Sequence, residues 1–246
     1  MKKILITGGS KGIGKELVLY FSQKGHKVIF TYNHSEFEAK QLEETASKLI
    51  QTKIIGLKCN LADEQQVKEM FKVNKELLSS VDVLINNAGI SGETSKLFMF
   101  TSADEWWAIM HNNVNCMMNC TRKVLPGMIK QKQGRIINVT SLAGLKGNPG
   151  QSAYAASKAA IACFSKSLMK EIERSGVTIN CIAPGFVETD MTSNISVNYY
   201  LKRIENSPMG RMGTTKEIAK AIYFLAIDAP DYLVNQEIIV DGGFGY

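Results

Sequence analysis

Tyr154 and Lys158 stand four residues apart in the stretch SAYAASKAA, residues 152–160. On a helix those positions share a face, one turn apart. A phenol ordinarily ionises near pH ~10, and so does an ammonium. A cation held close favours the phenolate, so the pair is expected to draw the Tyr154 pKa down toward working pH. Such a tyrosine would serve as proton donor and acceptor. Taken alone, the spacing fits a solvated lysine beside a ring-packed tyrosine better, and other residues must decide.

A second stretch, TGGSKGIGKE at residues 7–16, is compatible with three chemistries. Gly8 to Gly12 reads G-x-S-x-G, the nucleophile elbow of hydrolases. That chemistry needs a histidine base after an acidic partner, and His26, His34 and His111 offer no convincing setting. Gly9 to Lys15 reads G-x-x-x-x-G-K, but Glu16 stands where a hydroxyl should hold Mg²⁺. The third reading is a dinucleotide site built on Gly8, Gly12 and Gly14. These glycines permit a tight turn, close approach of backbone to pyrophosphate, and close packing of helix on strand. The pyrophosphate would sit at the positive N-terminus of the first helix. The spacing is G-x-x-x-G-x-G rather than G-x-G-x-x-G, so the turn is weak support by itself.

The elements that must position these residues alternate along the chain. Candidate strands are KILIT (3–7), KVIFTY (27–32), KIIGLKC (53–59), VDVLIN (81–86), RIINVT (135–140), VTINCI (177–182) and EIIVD (237–241). Between them, apolar residues recur at helical spacing, as at Ile13, Leu17 and Phe21. Nearly all-apolar strands imply a parallel sheet covered on both faces. Strand–helix alternation implies a Rossmann-like, doubly wound α/β fold, one domain over residues 1–246. The longest break in the pattern, around 186–213, is expected to form a substrate lid.

At 45% hydrophobic and 21% charged, the chain can bury a full core. A net charge of +6 suits an acidic ligand, yet no Lys/Arg block forms a nucleic-acid footprint. No apolar run approaches the ~18 residues of a membrane span. The start, MKKILITGG, is interrupted before a signal-peptide core can form. Cys59, Cys116, Cys120, Cys163 and Cys181 include no CxxC pair, which predicts buried thiols in a reducing cytoplasm and no metal site.

In order along the chain come TGGSKGIG (7–14), NNAG (86–89), NVTSLAG, YAASK (154–158), APG (183–185) and IIVDGG. Together they resemble the short-chain dehydrogenases/reductases over essentially the whole chain. The stretch from GRIINV to PGFVETDMT is most similar to the 3-oxoacyl-(acyl-carrier-protein) reductases of that family. The resemblance implies a catalytic set of Asn113, Ser141, Tyr154 and Lys158. In it Tyr154 donates a proton to a substrate carbonyl while a nicotinamide supplies hydride. Lys158 lowers the tyrosine pKa and binds the nicotinamide ribose, and Ser141 orients the carbonyl. Asn113 opens the long helix locally and holds a relay water. Cofactor contacts are implied at Gly8, Ser10, Lys11, Gly12, Ile13, Gly14, Asn60, Leu61, Asn87, Ala88, Gly89, Tyr154, Lys158, Pro184, Gly185, Val187 and Thr189.

The second candidate strand ends FTYNHS, residues 30–35, with no acid before Glu36. A carboxylate there would bond the ribose of NAD and repel the 2′-phosphate of NADP. Its absence, with Lys11 beside Gly12 and His34 as a possible aid, favours NADP(H). The resemblance further implies a thioester carried on an acidic acyl carrier protein, with Lys132 and Arg174 as candidate contacts near the pocket mouth. It also implies a homotetramer paired through helices around 103–132 and 152–174. A sugar, steroid or small ketone is the alternative substrate, and a non-catalytic dinucleotide binder the alternative class. Val234-Asn235-Gln236 replaces the family's Thr-Gly-Gln, and Asn tolerates a left-handed turn there.

Overall fold

Each of the seven apolar runs becomes a strand: β1 (Lys3–Ile6), β2 (Lys27–Tyr32), β3 (Ile54–Lys58), β4 (Val83–Asn86), β5 (Gly134–Val139), β6 (Val177–Pro184) and β7 (Glu237–Val240). They form one sheet in the order β3-β2-β1-β4-β5-β6-β7, with every pairing parallel. The computed structural model describes residues 1–49, 54–92, 96–189, 192, 201, 204–205 and 207–244. Residue 53 of the third expected strand, and residues 190–191, 193–200, 202–203 and 206 of the expected lid, lie outside the described residues. Of the lid's described part, Val187 is buried and bridges to Gly213.

Parallel neighbours need crossovers, and helices supply them on both faces. The helices are α1 (Gly12–Gln23), α2 (Glu36–Leu49), α3 (Glu64–Val73), α4 (Lys75–Leu78), α5 (Ala103–Met110), α6 (Cys116–Gln131), α7 (Leu142–Lys146), α8 (Ser152–Glu171) and α9 (Thr215–Tyr223). Strand alternation divides the core in two. Ile4 and Ile6 join Leu17 and Phe21 of α1, Leu42 of α2 and Ile222 of α9. Leu5, between them, joins Val67 of α3 and Val124 and Met128 of α6. Strand order reverses between β1 and β4, which leaves a crevice at the carboxyl ends of the strands.

The long helix expected over 103–132 is interrupted. A π-turn over His111–Asn115 separates α5 from α6, and such bulges often mark functional sites. Asn235 does adopt a left-handed φ of 59°, and its N–H donates to Ile179 O at 2.9 Å, so the altered turn keeps its hold on β6. Cys59, Cys116, Cys120 and Cys181 are buried, and burial pushes the Cys59 and Cys181 thiols up to about 11 and Cys116 to about 12. The expectation fails at Cys163, which is exposed because it lies on the solvent side of α8. Among the described residues no helix is long and apolar enough to cross a membrane.

Candidate active site

A cavity of about 660 Å³ occupies the crevice. Its first wall is the turn between β1 and α1. Gly8 and Gly12 take φ values of +65° and +51°, where a side chain would be strained. Gly14 is needed for proximity instead: a Cβ there would collide with the Gly8 carbonyl. Lys11 stands at the N-cap of α1 without a capping bond from its own side chain, and Gly12, Ile13 and Gly14 line the cavity. This backbone cradle at a positive helix end fits a pyrophosphate. The Lys11 ammonium itself pairs with Glu38 at 2.8 Å.

The second wall follows β4. Thr7 Oγ1 accepts from the N–H groups of Asn87 and Ala88, both at 2.9 Å. Asn87 Nδ2 donates back to the carbonyls of Thr7 and Gly8, at 3.0 and 3.1 Å. These bonds tie the NNAG turn to the glycine turn. Asn86, one residue earlier, points the other way. Its Nδ2 donates to Thr121 Oγ1 and to Asn138 Oδ1 on β5, and Asn138 Nδ2 donates to Ser165 Oγ on α8. A polar chain therefore crosses the sheet beneath the site.

The third wall carries the tyrosine. Ser141 follows β5 and caps α7, accepting from Ala143 N–H at 3.2 Å. A Cβ on Gly144 would lie 2.9 Å from the Ala159 backbone nitrogen, so a glycine there lets α7 approach α8. That approach brings Ser141 and Tyr154 onto the same stretch of cavity wall. Lys158 is only 4% exposed; its Nζ donates to Val139 O at 2.8 Å and lies 5.6 Å from the Tyr154 ring centroid. Gly89 marks where the set converges, because a Cβ there would fall 3.0 Å from Asn113 Oδ1 and 3.5 Å from Lys158 Nζ.

The ionisation expected from the Tyr–Lys spacing is corrected here. Burial raises the Tyr154 pKa, and the Ser141 hydroxyl offsets it only in part. Burial also brings Lys158 down to about 8. Lys158 is aimed at a backbone carbonyl and sits beneath the ring, while the phenol loses water that would have stabilised its anion. Tyr154 is thus held as the neutral acid.

Asn113 is fully buried behind the cavity wall, on the π-turn. Its Oδ1 accepts from Ile90 N–H at 2.7 Å, and its Nδ2 donates to Ile90 O at 2.9 Å and Ser157 Oγ at 2.8 Å. The side chain brackets the backbone after NNAG. Asn113→Ala would remove the partner of the part-buried Ile90 N–H and C=O and of the buried Ser157 hydroxyl, at about 1–3 kcal/mol for a group left unsatisfied. Its thermal midpoint is expected to fall by roughly 5–10 °C. An unchanged midpoint in a thermal scan would remove this positioning role.

Ser10, Gly89, Pro184, Gly185, Val187 and Thr189 line the cavity, with Gly8, Lys11, Asn87, Ala88, Ser141, Tyr154 and Lys158. Asn60 and Leu61 do not. Leu61 is a core residue whose carbonyl accepts from Asn119, and Asn60 turns its Oδ1 to Ala62 N–H. Lys132 and Arg174 are also misplaced by the sequence reading. Both take left-handed φ values, 51° and 58°, in the turns that lead into β5 and β6. That is the amino end of the sheet, opposite the cavity. Sequence reasoning missed Lys146, Asn148, Gln151 and Phe244, which line the cavity. Gln151 precedes YAASK by three residues, closely enough that its position just ahead of α8 was a usable signal.

The sequence model of the short chain dehydrogenase family matches residues 2–199. The chain belongs to the short-chain dehydrogenase family. Within it, the chain is 40% identical over 242 residues to the 3-oxoacyl-(acyl-carrier-protein) reductase of Synechocystis sp., covering 97% of this chain and 95% of the relative. It is 37% identical over 243 residues to 3-oxoacyl-(acyl-carrier-protein) reductase FabG of Staphylococcus epidermidis, covering 98% of each. A solved structure of 3-oxoacyl-(acyl-carrier protein) reductase from Brucella melitensis superposes with a TM-score of 0.92 at 26% identity, covering 100% of this chain and 91% of that one. The fold of this chain is therefore shared with that solved reductase structure.

Proposed function

We propose that the chain reduces the 3-oxo group of an acyl thioester, borne on an acyl carrier protein, to the 3-hydroxy form with NADPH as reductant. The observation that carries this reading is the convergence of Ser141, Tyr154 and Lys158 on one cavity wall, opposite the glycine cradle. The names of its relatives support the thioester substrate. When bound, the nicotinamide supplies the hydride that reaches the carbonyl carbon. Ser141 hydrogen-bonds the carbonyl oxygen and fixes its place. Tyr154, kept protonated by burial, gives that oxygen its proton as negative charge develops there. Lys158, under the ring, stabilises the phenolate left behind. Asn113 has its side chain committed to Ile90 and Ser157, so its part is to hold the loop rather than to touch substrate.

Lys11 on the wall and the lack of an acid in residues 30–35 support the 2′-phosphorylated cofactor. Lys146, exposed at the cavity edge, takes the place expected of Lys132 and Arg174 as a candidate contact for an entering carrier. We read the whole chain as one cytoplasmic reductase domain. Exposed Phe98, Met99, Phe100 and Trp107 on and beside α5 support pairing of subunits through that helix in a homotetramer. The test follows NADPH absorbance with a short 3-oxoacyl thioester, against NADH. Turnover that is faster with NADPH is the expected result. Tight NADPH binding without thioester turnover would move the substrate to a sugar, steroid or small ketone.

A further inference from the structure

Lys11 lines the cavity at the glycine turn, and its Nζ is 2.8 Å from the Glu38 carboxylate on the first turn of α2. Glu36, two residues earlier, is engaged by Lys40 and Lys58 at 2.9 and 2.8 Å. Glu38 is thus the α2 acid that meets a cation of the wall. Among the described residues that wall carries three lysines, Lys11, Lys146 and Lys158, and no carboxylate. Lys158 is bound into the tyrosine site, and Lys146 ends α7 beyond Ser141. At the β1–α1 end, Lys11 is the cation that a phosphate would meet, and it already holds an anion.

A 2′-phosphate brings close to two negative charges, whereas a ribose 2′-hydroxyl brings none. A phosphate and Glu38 compete for one ammonium. The hydroxyl does not compete, and the carboxylate could accept a hydrogen bond from it. We propose that Glu38 is a cofactor-selecting residue that occupies Lys11 and narrows the preference for NADPH over NADH. The inference rests on the dinucleotide reading of the cavity. Both side chains are partly exposed, so solvent and salt screen the pair and the effect is several-fold rather than orders of magnitude.

The experiment measures dissociation constants of the full chain for NADPH and NADH separately, through the fluorescence of the reduced nicotinamide, with no substrate present. Glu38→Gln is expected to tighten NADPH by about 2–5-fold and to leave NADH within about twofold. High salt is expected to shrink the gain. Lys11→Ala is expected to weaken NADPH and bring the two constants together. An unchanged NADPH-to-NADH ratio in Glu38→Gln, with circular dichroism showing a folded protein, overturns the inference. A wild-type chain that binds neither nucleotide overturns the dinucleotide reading itself, and the inference with it.

Discussion

Tyr154→Phe lowers kcat/KM for a short 3-oxoacyl thioester by roughly 10²–10⁴-fold, the usual worth of a positioned general acid, while the Kd for NADPH stays unchanged. The substitution keeps the ring that packs over Lys158 and deletes only the hydroxyl. In the proposed reading cofactor binding draws on the glycine cradle and the NNAG turn, neither of which the change touches. The loss therefore belongs to proton delivery. Because burial holds the phenol above its ordinary range, the acid is fully loaded across neutral pH. Steady-state kinetics beside nucleotide titration separates the outcomes. A variant that retains activity would show that Tyr154 is not the acid, and a variant that loses NADPH affinity equally would show a structural role.

Lys158→Met carries the second large effect, and it moves activity and stability in opposite directions. Removing the cation beneath the ring leaves the departing phenolate unsupported, a loss of roughly 10²–10³-fold by analogy with other single electrostatic contacts. Stability behaves otherwise because the ammonium is buried with its pKa down at about 8. Below that value the lysine is protonated in both folded and unfolded chains, and the full cost of burying the charge weighs on the fold. Between about 8 and its ordinary 10.5 the folded chain sheds the proton first, so stability rises with pH over that window. The gain is on the order of 3 kcal/mol. Lys158→Met is expected to be at least as stable as the wild type at pH 7 and to lose the rise between pH 8 and 10.5. Denaturant unfolding at a series of pH values reads this directly. In the wild type, kcat/KM is expected to fall above pH about 8 as the same proton leaves. A wild-type stability curve that is flat over the window would place the lysine charge in solvent-like surroundings.

Much of this fold was legible from local pattern. Buried parallel strands are apolar on both faces, so runs such as VDVLIN and VTINCI stand out whatever surrounds them. The glycine turn and the Tyr154–Lys158 spacing were legible for the same reason. Each depends on neighbours within one turn of chain, where backbone sterics and helical period act alone. Asn113 was legible only through resemblance. No local rule announces that an asparagine will bracket the backbone of Ile90, 23 residues away.

Tertiary structure decided what those residues do. The spacing of Tyr154 and Lys158 settles that they share a face, but ionisation depends on how much water each loses, and that follows from Ser141, Val139 and the packing of α7 on α8. Lys132 and Arg174 read as surface cations in sequence, and only the direction of β5 and β6 sends them to the far end of the sheet. Lys11 reads as a lone cation beside a glycine until α2 brings Glu38 to it. Period and turn chemistry are short-range properties and are written in the chain. Desolvation and charge pairing are set by residues distant in sequence, so they exist only once the sheet has closed around them.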